Sequence, residues 1–445
     1  METLPDDALL EVMQYLKIED LLACRLVCRR LGALAMLPEL WRHQRLKLVS
    51  SDDTPRYNQC SVLRLAPCLR AWHVDVPLQK FHSLYTTTRC AVKKLALSMY
   101  HVSEEAALEA SLVIRNQAAL GRLRRLSVLR PYTGRKAIEK ISVLLGTVAS
   151  TPLLEKLKLT GFAFYPPSAL VGLHRLFPES SLKSFEHDPD DSEAESLCDF
   201  ILSTHAATLQ TVNLGYYPLT STSTATLLAG IPNLRRLECG VMPGLEAVAG
   251  CKLLREIGLC VAYDGEARTV AEFLRRATQL VKVTFQYDSH EFMALSSDVD
   301  FVLALATTGR SRLEELEIDV YEEHFPQQQS LLKALPRLPA LKHLEVRGEA
   351  SDDFLLGISP AKAPALRTLK VFTISAKCAH DALHQGSVQN LLSLNPDLKF
   401  STHELSYCYT DERCAWCTLG CHQEMRQDLD PPLQHSADWV TISRL

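Results

Sequence analysis

One apolar pattern recurs along most of this 445-residue chain and limits what it can fold into. Each instance places apolar side chains at positions i, i+3 and i+5, as in Leu154, Leu157 and Leu159. The instances begin at positions 69, 92, 123, 154, 182, 209, 234, 254, 280, 313, 341, 366 and, weakly, 395. Regular repetition of this kind predicts an array of stacked units, because no single unit can bury its apolar side alone.

The spacing also predicts what each unit contains. Positions i+3 and i+5 point to the same side of a strand, whereas i+2, i+4 and i+6 point to the other side. Between these strands the apolar residues follow a helical period, and the predicted helices are Ala106–Leu120, Lys136–Ser150, Glu193–Leu209 and Glu266–Gln279. The average interval of roughly 27 residues resembles that of the leucine-rich repeat family. The family's Asn or Cys at i+8 is absent here. The predicted fold class is therefore an α/β solenoid, a curved leucine-rich-repeat array of parallel strands with helices outside.

The N-terminal segment has a different character. Leu9, Val12, Met13 and Leu16 have the spacing of one apolar face of a helix, and a second helix is predicted from about Leu21 to Arg30. A segment of this size is too small to bury so much apolar surface internally, and such domains usually need metal, disulfides or a partner. We therefore expect a protein partner to cover it.

The same segment resembles an F-box. The resemblance rests on the opening Leu-Pro, the helical spacing, the Asp-Leu-Leu that follows, the Val-Cys-Arg, and the closing Leu-Trp-Arg. It implies adaptor-binding residues at Leu4, Pro5, Leu9, Val12, Leu16, Leu21, Leu22, Val27, Cys28 and Trp41. The alternative is a small helical bundle packed onto the rest of the chain.

An F-box followed by leucine-rich repeats implies a function. Such proteins dock on the Skp-type adaptor of a cullin–RING ligase core, and their repeats bind a protein substrate for ubiquitination. The expected chain is then a non-catalytic substrate receptor of a Skp–cullin–F-box ubiquitin ligase. The alternative is an interaction scaffold or inhibitor that recruits no ligase. The expected domains are the F-box (1–46), a linker (47–67), about 12–13 repeats (68–403) and a capping segment (404–445).

The outward strand positions suggest where a substrate could bind. Neighbouring repeats place Glu315, Glu317, Asp319 and Glu345 on one side of the predicted sheet. Four carboxylates there would attract a basic segment of a partner. The alternative is a solvated surface whose charge is balanced by nearby cations.

The C-terminal segment contains cysteines with two interpretations. Cys408, Cys414, Cys417, Cys421 and His422 include a Cys-x-x-Cys spacing that suits zinc. Interleaved aromatic residues favour instead a segment of free thiols that caps the repeat array. A redox role is a third possibility.

Composition narrows the function further. The formal net charge of −4 argues against nucleic acid as the main partner. No run of apolar residues is long enough for a membrane span, and no secretory signal is visible, so we expect a cytoplasmic or nuclear protein. No hydrolase, nucleotide-binding or metalloprotease motif is present, and we expect no cofactor.

Overall fold

The structure, a computed structural model, describes residues 4–47, 59–76, 83–99, 103–129, 142–162, 180–188, 195–216, 221–261, 267–287, 300–307, 311–324, 327–372, 384–403 and 439–442. The chain divides into two compact units, Met1–Gly215 and Tyr216–Leu445.

Unit 1 begins with short helices and continues as a parallel sheet. Its helices are α1 (Asp6–Met13), α2 (Ile18–Val27), α3 (Arg29–Ala35), α4 (Pro38–Trp41), α5 (Gln59–Leu65), α6 (Leu84–Thr87), α7 (Glu104–Ala119), α8 (Ser142–Ala149) and α9 (Glu195–His205). Its strands are β1 (Arg45–Lys47), β2 (Cys68–Val76), β3 (Ala91–Met99), β4 (Arg125–Leu129), β5 (Lys156–Thr160), β6 (Ser184–Asp188) and β7 (Thr211–Asn213). Each strand pairs in parallel with the next one along the chain.

The register of the sheet follows the repeat pattern. Leu95, Leu126, Leu157, Phe185 and Val212, all at position i+3, lie opposite one another on successive strands. All five are buried. Burying one such side chain contributes about 1.5–3 kcal/mol to the free energy of folding, so the aligned residues stabilise each strand against the next.

Unit 2 repeats the arrangement. Its helices are α10 (Thr222–Ala229), α11 (Ala267–Arg276), α12 (Phe301–Ala306), α13 (Gln328–Ala334), α14 (Asp352–Gly357) and α15 (Gly386–Leu394), with 3₁₀ turns at Leu245–Gly250 and Leu335–Arg337. Its strands are β8 (Arg236–Gly240), β9 (Glu256–Val261), β10 (Lys282–Tyr287), β11 (Glu315–His324), β12 (His343–Glu349), β13 (Thr368–Phe372), β14 (Lys399–His403) and β15 (Trp439–Ile442). Strands β8 to β14 pair in parallel in chain order. The predicted α/β leucine-rich-repeat fold, with helical segments before it, is therefore confirmed.

The last repeat is shifted from its predicted position. Phe400 pairs with Leu369, which is an i+3 residue, so the repeat begins at Asp397 rather than at the predicted Asn395. Position i+5 is then Thr402, which is fully buried. The prediction was wrong because Leu398, which is also buried, lies two residues before the true i+3 position.

Both ends of the repeat array differ in detail from the prediction. Strand β1 begins in the segment predicted as the F-box (1–46) and ends one residue beyond it, and its Leu46 pairs with Trp72 of β2. The predicted linker contains helix α5. At the other end, β15 pairs with β14 in the antiparallel direction.

Candidate functional site

The N-terminal helices bury several apolar side chains against this chain. Trp41 and Leu21 are fully buried, and Leu9 is 5% exposed. The Trp41 indole N–H donates to the Ala35 carbonyl oxygen at 2.7 Å, which satisfies the one polar atom of that side chain. The amide of Gln44, which precedes β1, donates to the Leu16 carbonyl oxygen at 2.9 Å. These hydrogen bonds link α4 to α3, and the residue before β1 to the segment between α1 and α2.

Arg30 connects α3 to the start of α1. Its guanidinium donates to the Asp6 carboxylate at 2.6 and 2.8 Å and to the Leu4 carbonyl oxygen at 2.5 Å. Asp6 also lies in the first turn of α1, where a negative charge is favoured by the helix dipole. Arg30 therefore positions the residues that open the segment.

The second helix has the predicted length but lies three residues earlier in the chain than predicted. It begins at Ile18 and ends at Val27, and the Cys28 side chain then accepts a hydrogen bond from the Leu31 N–H at 3.4 Å. Cys28 thus caps α3 and separates it from α2.

Apolar side chains on α1 and α2 remain exposed. Among the large apolar side chains of the described residues, the four most exposed are Leu26 (82%), Tyr15 (80%), Val27 (66%) and Val12 (61%). Leu4 adds a further 44%-exposed side chain. We call these five residues the N-terminal apolar set. Single exposed apolar residues are normal on a protein surface, but several within one short segment indicate a binding surface.

The ten predicted adaptor-binding residues fall into three groups. Leu4, Pro5, Val12, Val27 and Cys28 are exposed, and Leu16 and Leu22 are half-buried. Leu9, Leu21 and Trp41 are buried against this chain, so they support the helices rather than present themselves to a partner. Helix α1 therefore divides its predicted apolar face, with Leu9 and Met13 inside and Val12 outside.

Tyr15 and Leu26 were not among the predicted residues. Each is close in helical spacing to a predicted one, since Tyr15 follows Val12 by three positions and Leu26 follows Leu22 by four. The spacing alone could have identified both as neighbours of the predicted residues.

Comparison with protein families identifies this segment. Residues 1–47 match the model of the F-box-like family. These residues form an F-box-like domain. The F-box-like domain therefore includes strand β1, and the N-terminal apolar set belongs to it.

The solved structures that match this chain are distant in sequence. A chain in the crystal structure of the Rad7 and Elc1 complex in yeast is 16% identical, with a TM-score of 0.43; the match covers 82% of this chain and 88% of that one. An LRR protein of Leptospira interrogans is 12% identical, with a TM-score of 0.29, and the match covers 78% of this chain and 100% of that one. Comparison with curated protein sequences finds no match.

The four predicted substrate-binding carboxylates come together in unit 2. Glu315 lies opposite Lys282 on β10, and Glu317 lies opposite Glu345 on β12. Asp319 completes the set on β11. The register of the sheet thus places the acidic residues on adjacent strands, as the repeat spacing implies.

Cations lie between these carboxylates. Arg347 contacts Glu345 at 2.7 Å, Glu317 at 3.2 Å and Asp319 at 3.6 Å. Lys282 lies 3.5 Å from Glu315 and 3.6 Å from Glu317, and Lys370 lies 3.4 Å from Glu345. These ion pairs favour the alternative interpretation, a balanced strand surface. Substrate binding by the carboxylates stays a prediction.

Burial changes the ionisation of one member of this group. Partial burial raises the pKa of Asp319, the neighbouring Arg347 opposes that effect, and Glu317 and Glu345 add to it. Arg347 therefore helps to keep the Asp319 carboxylate in its charged form.

The remaining features of the sequence concern metal binding and membrane insertion. The candidate zinc residues Cys408, Cys414, Cys417, Cys421 and His422 lie outside the described residues. Within the described ranges, no group of three or more His, Cys, Asp or Glu side chains is placed to hold a metal ion. Over the same ranges no helix is both long enough and apolar enough to span a bilayer.

Proposed function

We propose that this protein is the substrate receptor of a Skp–cullin–F-box ubiquitin ligase, with the F-box-like domain docked on a Skp-type adaptor and the repeats holding a protein substrate. The observation that carries the proposal is the concentration of exposed apolar side chains within the F-box-like domain. Covering a surface of this kind with a partner protein is favourable, because apolar side chains are removed from water.

The function requires no reacting group in this chain. A receptor that binds both the ligase core and a substrate raises the local concentration of a substrate lysine near the charged conjugating enzyme. The repeats suit this role because the outward positions of successive parallel strands align, so their side chains form rows across one side of the sheet. The proposed site of action is the cytoplasm or nucleus, which imaging of a tagged chain tests.

The docking surface can be tested with Leu26→Ser combined with Val27→Ser. Both side chains are largely exposed, so the fold does not depend on their burial. If each is covered by the adaptor, about 1.5–3 kcal/mol is lost per residue, and affinity falls about 100-fold or more. Titration calorimetry with purified Skp-type adaptor measures the change.

A matched control uses exposed leucines elsewhere. Leu108 on α7 and Leu394 on α15 are 52% and 49% exposed, and replacing both by Ser should leave adaptor affinity unchanged. Equal affinity of the Leu26/Val27 variant and the wild type would overturn the assignment of this surface. Recovery of adaptor without cullin from cells would support instead a scaffold that recruits no ligase.

A further inference from the structure

Unit 1 carries a row of cations on its strands. Arg45 of β1 lies opposite Ala71 of β2, Ala71 lies opposite Lys94 of β3, and Lys94 lies opposite Arg125 of β4. Three of four successive strands therefore place a long cationic side chain at the same level of the sheet.

These residues surround a cleft of about 310 Å³. Arg70 and Lys93, each next to a residue of the row, add two further cations to its lining. The short side chains of Ala71 and Ala96 also line the cleft, and their size leaves it open between the longer cationic ones. We call this feature the basic cleft.

The charge of the basic cleft is not neutralised within the described residues. Its lining includes no Asp or Glu. Within the described residues no ion pair is formed by its five exposed cations, which are Arg45, Arg70, Lys93, Lys94 and Arg125. Like charges on directly opposite strand positions destabilise a sheet. A bound anion would remove that cost.

Neighbouring parts of the chain show that this is not a general property of the strands. One strand further on, Lys156 and Lys158 both contact Glu186 of β6. In unit 2 the strand residues Arg236, Lys282, Arg347 and Lys370 likewise pair with carboxylates. The basic cleft is therefore a local excess of positive charge.

We propose that the basic cleft binds an extended acidic peptide segment. The distance from β1 to β4 is three strand spacings, about 14 Å, and an extended peptide covers about 3.3 Å per residue. About four residues would cross the cleft, with carboxylates placed against the guanidinium and ammonium groups. Charge-assisted hydrogen bonds of this type are among the stronger polar contacts.

A peptide fits the cleft better than a single-stranded nucleic acid. Nucleic-acid channels combine positive charge with exposed aromatic rings on which bases stack. Trp72 is the aromatic residue other than histidine among those that line the cleft, and its side chain is fully buried. Among the described residues, the cleft thus combines its charge with no exposed Phe, Tyr or Trp ring on which bases could stack.

The inference rests on the proposed function only in naming the class of substrate segment that such a receptor would hold. Arg45 belongs to the residues that match the F-box-like family, so the basic cleft adjoins the proposed adaptor-docking domain. Binding of an acidic peptide is measurable without any ligase component.

The experiment uses the full chain and a fluorescein-labelled nonapeptide with an uninterrupted Asp/Glu centre. Fluorescence anisotropy measures its affinity, and the same peptide with Asn/Gln in place of Asp/Glu is the control ligand. We expect the acidic peptide to bind at least tenfold more tightly than the amide peptide, and Lys94→Gln combined with Arg125→Gln to reduce its affinity at least tenfold.

Lys156→Gln combined with Lys158→Gln provides the matched control protein, because these lysines lie on the next strand and already contact a carboxylate. Its affinity for the acidic peptide should stay within about twofold of the wild type. Equal binding of the two peptides, equal losses in the two double variants, or tighter binding of a single-stranded oligonucleotide of the same charge would overturn the proposal. The Lys94/Arg125 variant should retain its adaptor, so failure here is distinguishable from failure of adaptor docking.

Discussion

Replacing His187 by leucine should weaken the dependence of stability on pH below neutrality. His187 occupies an i+5 position on β6 and is fully buried. Its Nδ1 lies 3.3 Å from the Cys198 Sγ, and its Nε2 has no hydrogen-bond partner among the described residues. Burial lowers the pKa of His187 from 6.5 to about 4, since a charged imidazolium would be desolvated there.

The sign of the effect follows from proton binding. Between pH 6.5 and 4 the unfolded chain binds a proton at this histidine and the folded chain does not, so the folded state loses stability as the pH falls through that window. Above pH 6.5 both states are neutral at this site and the histidine contributes no pH dependence. The pKa difference corresponds to roughly 3 kcal/mol, at about 1.4 kcal/mol per unit.

Urea unfolding followed by circular dichroism at pH 7.5, 6.5, 5.5 and 4.5 measures the change. The equivalent positions of neighbouring repeats are Leu159 and Leu214, so His187→Leu should be accommodated in the core. His187→Gln is a second variant that keeps a polar side chain but cannot titrate. Both should lose less stability than the wild type on acidification, by about 2–3 kcal/mol at pH 4.5. Equal losses in all three proteins would refute the reasoning.

Two further substitutions have defined outcomes. Gln117 is fully buried, and its side chain accepts a hydrogen bond from the Val92 N–H at 2.9 Å and donates one to the Cys90 carbonyl oxygen at 3.1 Å. Gln117→Leu should therefore lower the free energy of unfolding, measured in urea, by about 2–5 kcal/mol, because two buried backbone groups lose their partner. A loss below about 0.5 kcal/mol would contradict this account. Arg347→Gln should lower stability at neutral pH by no more than about 1 kcal/mol, since the pairs it makes are partly exposed. Partial burial raises the pKa of Asp319, so the difference from wild type should shrink on acidification as Asp319 becomes protonated. A pH-independent difference in thermal unfolding would show that charge is not its cause.

The repeat array was predictable because every unit must meet the same physical requirement. A strand that is covered on one side needs an apolar residue at alternate positions, and this need recurs at Leu95, Leu126 and Leu157 in register. The exception was the last repeat, where the buried Leu398 lies two residues before the true i+3 position and the i+5 position holds Thr402. A buried polar residue hides the pattern that the prediction depends on.

The candidate site was less predictable, because spacing identifies an apolar helix face but not what covers it. Leu9 and Val12 belong to the same predicted face, yet the first is buried and the second is exposed. Whether Arg347 neutralises three carboxylates likewise depends on side-chain directions across strands. The positive charge at Arg45, Lys94 and Arg125 became visible only when the register aligned residues that are far apart in sequence.

Strand β15 has a consequence for how molecules of this protein meet one another. It runs antiparallel to the rest, from Trp439 beside His403 to Ile442 beside Phe400, and so occupies the outer backbone groups of β14. An open strand edge recruits strands from other molecules and allows a sheet to grow from chain to chain. Strand β15 therefore covers this edge of β14, and we expect a chain shortened before Trp439 to expose β14 as a template for self-association.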